Sequence, residues 1–101
     1  MKKLILLSLL ILASCETKIK VNIAEAEIAC GQCLFELDSE AGCSLAVKVL
    51  DKAYFVDGFG INDFGDAHDE DKGFCNVVRK AKVAGVLKEG RLKASSIDML
   101  D

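Results

Sequence analysis

The stretch Ala24-Glu25-Ala26-Glu27-Ile28-Ala29-Cys30-Gly31-Gln32-Cys33-Leu34-Phe35-Glu36-Leu37 decides the fold. Ala24, Ala26, Ile28 and Cys30 share one face of a period-two pattern, with Glu25 and Glu27 on the other, which is the signature of a half-buried strand. Cys33, Phe35 and Leu37 continue the alternation in a new register, so a bulge or sharp bend is expected at Cys30-Gly31-Gln32-Cys33. Working towards the C-terminus, Asp38 to Gly42 reads as a turn. Cys43, Leu45, Val47 and Val49 mark a second strand, and Leu50 to Ala53 a hairpin turn into a third, Ala53 to Val56. Asp57 to Gly73 is rich in Gly and Asp, lacks periodicity and reads as a long loop. A helix is expected next. Asp71 can cap it, Phe74, Val77, Val78 and Ala81 recur at spacings of three and four, and Arg79, Lys80 and Lys82 suit its negative pole. Val83 to Lys88 and Leu92 to Leu100 then pair across a Glu89-Gly90 turn. The expected fold is mostly β with one helix, in the order β-β-β-α-β-β, a small five-stranded OB-like barrel forming a single domain over residues 23–101. Proline is absent from the chain, which argues against a thioredoxin-like fold with its cis-proline beside the Cys-x-x-Cys pair.

Working towards the N-terminus, residues 1–14 have the order of a signal peptide: Lys2 and Lys3, then an apolar run from Leu4 to Leu12, then the small residues Ala13 and Ser14. The run is shorter than the roughly 20 residues that a permanent membrane helix needs. Leu12-Ala13-Ser14-Cys15 resembles the lipobox of bacterial lipoproteins, which implies acylation of Cys15 and cleavage before it. Residues 15–22 then read as the lipidated cysteine and a short polar tether, and a second or third acyl chain would hold the protein firmly to the membrane. The expected location is the bacterial cell envelope, lipid-anchored on the periplasmic side or at the outer membrane. Losing residues 1–14 takes the formal charge from −3 to −5. An acidic domain lacks the basic stripe of nucleic-acid binders, so no nucleic-acid partner is expected.

Chemistry concentrates in the thiols. Cys30 and Cys33 form a C-x2-C pair, nine residues separate Cys33 from Cys43, and thirty-one separate Cys43 from Cys75. Three readings compete. An even cysteine count in a small exported domain implies disulfides, with Cys30–Cys33 and Cys43–Cys75 the favoured pairing because the first two are adjacent at a bend. The second bridge would be worth about 3–4 kcal/mol by loop-closure entropy. Alternatively, a C-x2-C turn is half of a soft-metal site, which Cys43, Cys75 or His68 completes for zinc or copper. The third reading, a redox-active dithiol, needs a helix N-terminus at the pair, whereas the residues after Cys33 read as strand. The loop carrying Asp63, Asp66, Asp69, Glu70 and Asp71 does not match EF-hand spacing and reads as a solvated acidic surface able to meet an envelope partner. His68 sits within it, where neighbouring carboxylates favour the protonated ring. No serine–histidine arrangement, G-x-S-x-G or phosphate-cradling loop occurs, so a binding role is expected and not an enzyme.

The run from Cys30-Gly31-Gln32-Cys33 through Cys43, Ala53-Tyr54-Phe55-Val56, Gly65-Asp66-Ala67-His68 and Gly73-Phe74-Cys75-Asn76, closing with Val83-Ala84-Gly85, Gly90-Arg91 and Ala94-Ser95, resembles a family of small uncharacterised bacterial envelope proteins, a domain of unknown function. The resemblance covers nearly all of the expected domain and implies that the four cysteines and His68 form a recurring set. Two roles stand at this point: a membrane-anchored lipoprotein binding zinc or copper through a Cys/His cluster, and a disulfide-stapled interaction module without metal.

Overall fold

The computed structural model describes residues 18–100; residues 1–14 and Cys15, with the signal and lipidation readings that fall on them, lie outside the described residues. Five strands are present: β1 (Lys18–Cys30), β2 (Leu45–Val49), β3 (Lys52–Asp57), β4 (Arg79–Lys88) and β5 (Arg91–Met99), with one short helix, α1 (Gly31–Leu34), between β1 and β2. The strands close a barrel in the order β1-β2-β3-β5-β4. Every pairing is antiparallel except the β3–β5 seam, a two-residue parallel contact of Val56 with Leu92 and Asp57 with Lys93. The fold expected from the alternating pattern, a small five-stranded barrel, is the fold observed.

β1 is the longest strand and belongs to two neighbours. It pairs with β4 from Lys18 to Ile28 and with β2 from Glu27 to Cys30. One extra residue accumulates on β1 between Ile23 and Ala26, a bulge that lets the strand bend from one neighbour to the other. The inward face carries Ile28, Val47, Val83 and Leu92, all fully buried, and Phe74 enters the same cluster from the loop between β3 and β4.

Three expectations need correction. The barrel begins at Lys18, which pairs with Lys88, so the polar residues assigned to a tether up to Asn22 are barrel strand. The helix expected from Asp71 to Lys82 is not there. A single turn forms, with the Val77 N–H donating 2.9 Å to the Gly73 carbonyl, and the chain then extends as β4. Ala81 and Val83 face inward while Lys80 and Lys82 face solvent, a period of two that outweighs the spacing of Phe74, Val77 and Val78. The helix occurs instead at Gly31-Gln32-Cys33-Leu34, where the sequence suggested a bulge inside the first strand. The N–H groups of Phe35 and Leu37 both donate to the Gly31 carbonyl, and Glu36 at φ 59° ends the turn.

The loop from residue 58 to 78 caps one end of the barrel. Phe59 and Phe64 lie 5.9 Å apart, and Phe64 meets Phe74 edge-on at 6.2 Å, an aromatic stack that joins the core.

Candidate metal centre

The site grows from the end of β1. Ala29, Ala46 and Phe55 are neighbours across β1, β2 and β3, on the face opposite Ile28 and Val47. All three are buried, and α1 packs with Leu37 against Ala46 and Phe55. Gly31 makes that packing possible. A Cβ at Gly31 would lie 2.8 Å from Phe55 Cε1 and 3.0 Å from both Ala46 Cβ and Leu37 Cδ1. The short helix therefore packs directly on the sheet, holding Cys30 at its start and Cys33 within it.

Two backbone hydrogen bonds then bring the remote cysteines to this corner. The Cys30 N–H donates 3.0 Å to the carbonyl of Phe74, the residue before Cys75. The Gly31 N–H donates 2.8 Å to the carbonyl of Ser44, the residue after Cys43. The Cys75 N–H is in turn held by the Ala67 carbonyl at 3.0 Å.

The result is a four-thiol cluster. The Sγ atoms of Cys30, Cys33, Cys43 and Cys75 all lie within 4.8 Å of one another. Cys43 is central, 2.6 Å from Cys30 and 2.8 Å from Cys75. All four are free cysteines, Cys30 buried, Cys43 and Cys75 half-buried and Cys33 exposed. A tetrahedral ion with sulfur ligands at about 2.3 Å needs sulfur–sulfur separations near 3.8 Å, within the 4.8 Å bound on the cluster and reached when Cys43 draws back from Cys30 and Cys75. Four soft sulfurs around one point can hold a metal ion, and they favour a thiophilic one.

Electrostatics distinguishes the thiols. Burial raises the pKa of Cys30, but thiol donors from Cys43 and Cys33 and the backbone N–H groups of Cys33 and Gln32 outweigh it, leaving Cys30 below the ordinary thiol value. Cys33 moves the other way, to about 11, first through its hydrogen bond to Cys30 and then through desolvation. Cys43 is pushed further up still, by burial and by its two thiol neighbours. Of the three, Cys30 is therefore the thiol most readily deprotonated, and a cation bound by Cys33 and Cys43 would have to displace their protons.

Not every residue of the expected site is here. His68 lies outside the cluster, its side chain 84% exposed and its Nδ1 3.9 Å from Asp66 Oδ1. Of the favoured disulfide pairing, Cys43 and Cys75 are neighbours at 2.8 Å, and Cys43 also lies 2.6 Å from Cys30. Asp63, Asp66, Asp69, Glu70 and Asp71 are all exposed. Their carboxylates serve local turns: Asp63 accepts from the Gly60 N–H, Asp66 from His68, and Asp69 from both Asp71 and Lys72. Those two N–H donors hold the Asp69 carboxyl below its ordinary value. Asp71 caps no helix, since none follows it.

One contributor escaped the sequence reading. Gln32, inside the C-x2-C pair, accepts from the Ser44 N–H at 2.8 Å through Oε1, and the Cys30 thiol points at the same oxygen from 3.6 Å. Only its position between the two cysteines could have drawn attention to it.

A family model described as a family of unknown function, DUF6370, matches residues 24–100. No curated protein and no solved structure matches the chain.

Proposed function

Since the chain belongs to DUF6370, a family of unknown function, we propose its role from its own atoms: it binds a soft transition metal, zinc or copper, through Cys30, Cys33, Cys43 and Cys75. The observation that carries this reading is the convergence of four thiols from three separate segments to within 4.8 Å. A sheet end, a helical turn and two loops are all committed to that meeting, whereas stapling the barrel would need only two sulfurs at a time. Zinc and copper both suit thiolate ligands, and the donor set is too sulfur-rich for magnesium or calcium.

In this proposal the protein is a bacterial envelope lipoprotein. Residues 1–14 direct export and Cys15 carries the lipid, with the thiol corner at the end of β1 away from the anchor. Its role is binding and not catalysis, and its acidic charge favours metal cations over nucleic acid. The exposed acidic loop around His68 is the surface available to a protein partner in the envelope.

The test is the intact mass of the full chain, purified in detergent under anaerobic conditions without chelators, sprayed native and then denatured without reductant. A full-thiol denatured mass with one zinc- or copper-sized native adduct is the expected result. A denatured mass lighter by two hydrogens per bridge, with no native adduct, would instead make the cluster a pair of disulfides and the domain a stapled interaction module.

A further inference from the structure

Cys43, like Cys75, reaches the cluster from a segment without strand or helix. It sits near the end of that segment, residues 35–44. Yet Cys43 Sγ is the atom that touches both Cys30 and Cys75. Something must hold this segment down. Gln32 Nε2 donates to the Glu40 carbonyl at 3.3 Å and to Ser44 Oγ at 3.3 Å, while Gln32 Oε1 accepts from the Ser44 N–H at 2.8 Å. Ser44 Oγ also donates to Glu40 Oε1 at 3.2 Å. The other Glu40 oxygen pairs with Arg91, which is itself fixed by Asp57 at 2.9–3.0 Å and lies over the Phe55 ring.

We infer that Gln32 is a positioning residue for the metal centre, a clasp whose amide locks the Cys43 segment onto α1, with Glu40 and Arg91 anchoring the far side of that segment to the barrel. Three hydrogen bonds from one amide to both Glu40 and Ser44 flank Cys43 on the chain. Opening them loosens Cys43, with the Gly31–Ser44 backbone bond still in place, while Cys30 loses only its 3.6 Å thiol contact and Cys33 and Cys75 keep their own supports. The clasp governs how readily the central ligand leaves, and so how long an ion is retained. Groups surrounding a ligand in this way commonly change metal affinity by about 10–100-fold when removed.

The metal part of this inference rests on the proposed metal-binding role; the placement of Cys43 does not. Two measurements on the full chain in detergent separate them. In reduced, metal-free protein, pulsed alkylation followed by peptide mass spectrometry reads Cys43 against Cys75. Gln32→Ala should raise the Cys43 rate about tenfold or more, the effect of losing all three hydrogen bonds of the amide, and leave Cys75 within about twofold of wild type. In zinc-loaded protein, transfer to a chromogenic chelator should be about 10–100-fold faster for Gln32→Ala. Glu40→Ala should shift both in the same direction but less, because the Glu40 carbonyl stays available to Gln32. Ile97→Val, which loosens the barrel core away from the cluster, should move neither. Equal acceleration of Cys43 and Cys75, or no change at either, overturns the clasp. A wild type that binds neither zinc nor copper(I) removes the retention role and the metal reading together, while the alkylation ratio still decides whether Gln32 places Cys43.

Discussion

Ile28 and Cys30 stand two residues apart on one strand and are equally buried, yet they belong to regions built in different ways. Ile28 faces a barrel core held by long ladders. β1 and β4 share nine paired positions, and Val47, Val83, Leu92 and Phe74 close around the side chain. Cys30 faces a corner assembled from one backbone bond to Phe74, a neighbouring bond from Gly31 to Ser44, and side-chain contacts from Gln32. The barrel is redundant: many residues contribute to the same end. At the thiol corner the supports are few and local, so changes there should alter ligand chemistry with little effect on the barrel, and core changes should lower stability everywhere.

The largest effect belongs to the core. Ile28→Ala deletes a fully buried side chain with no route to solvent, and should cost about 2–5 kcal/mol of unfolding free energy. Denaturant titration of reduced, metal-free protein reads it. A cost below about 1 kcal/mol would mean that the core can collapse around the void, and the contrast between regions would lose its premise.

Gly73 lies where the two regions touch. An added Cβ would stand 2.3 Å from the Ala67 carbonyl oxygen and 2.6 Å from both N and O of Asp69, all backbone atoms that cannot swing aside. The same Ala67 carbonyl holds the Cys75 N–H. Gly73→Ala should therefore cost about 1–3 kcal/mol, in the range of other overpacked sites, and should weaken metal binding by displacing Cys75. Equal destabilisation with unchanged zinc affinity would show that Cys75 is held by something other than its backbone bond to Ala67.

The thiol corner should also respond to pH in a way the core does not. Cys33 is raised from 9.0 to about 11, and Cys43 is raised further. Over that interval the unfolded chain sheds thiol protons that the folded chain retains, so the metal-free protein should lose stability as pH rises from 9 towards about 11. Cys30, held below its ordinary value, acts in the opposite sense: its contribution is present above the unfolded thiol pKa and is lost as pH falls through its folded value. Above pH 9 the Cys30 contribution is already complete, so the raised thiols set the slope and stability falls. Zinc loading should flatten the profile, since ligation requires the thiols deprotonated, and proton release on zinc uptake should be measurable by calorimetry in buffers of different ionisation enthalpy. A metal-free melting profile that is flat to pH 11 would contradict the raised thiols.

How much of this was legible follows the same division. Alternation at Ala26 and Ile28, at Leu45 and Val47, and at Leu92 onward exposed the barrel strands, because a ladder with one dry face writes its period into the sequence. The alternation of Lys80, Ala81, Lys82 and Val83 was equally present, but Phe74, Val77 and Val78 just before it imitate a helical stripe. Phe74 is buried because it plugs the barrel end, and Val78 is exposed, so no common face unites them. The four cysteines could be named from composition and spacing. Their convergence could not, since it depends on where Phe74 and Ser44 meet the end of β1. His68 illustrates the same limit: adjacency to a cluster in sequence gave no guide to which way its loop turned.

The smallest expected effect has the opposite sign and probes the far end of the β2–β3 hairpin. Leu50 takes φ 59° and is 92% exposed, so it adopts a left-handed backbone and gains no packing in return. For a side chain of this kind the left-handed conformation costs about 1–2 kcal/mol, a penalty that asparagine, whose side chain can hydrogen-bond locally, largely avoids. Leu50→Asn should therefore stabilise the barrel by about 0.5–1 kcal/mol, visible as a rise of a few degrees in the melting midpoint. The turn lies across β2 from the cysteines, and none of the bonds that place Cys43 or Cys75 passes through it. Zinc retention should stay at the wild-type rate. If it lengthens as the hairpin stiffens, the thiol corner draws its rigidity from β2 as a whole, and the separation between a redundant barrel and a locally supported site would have to be redrawn.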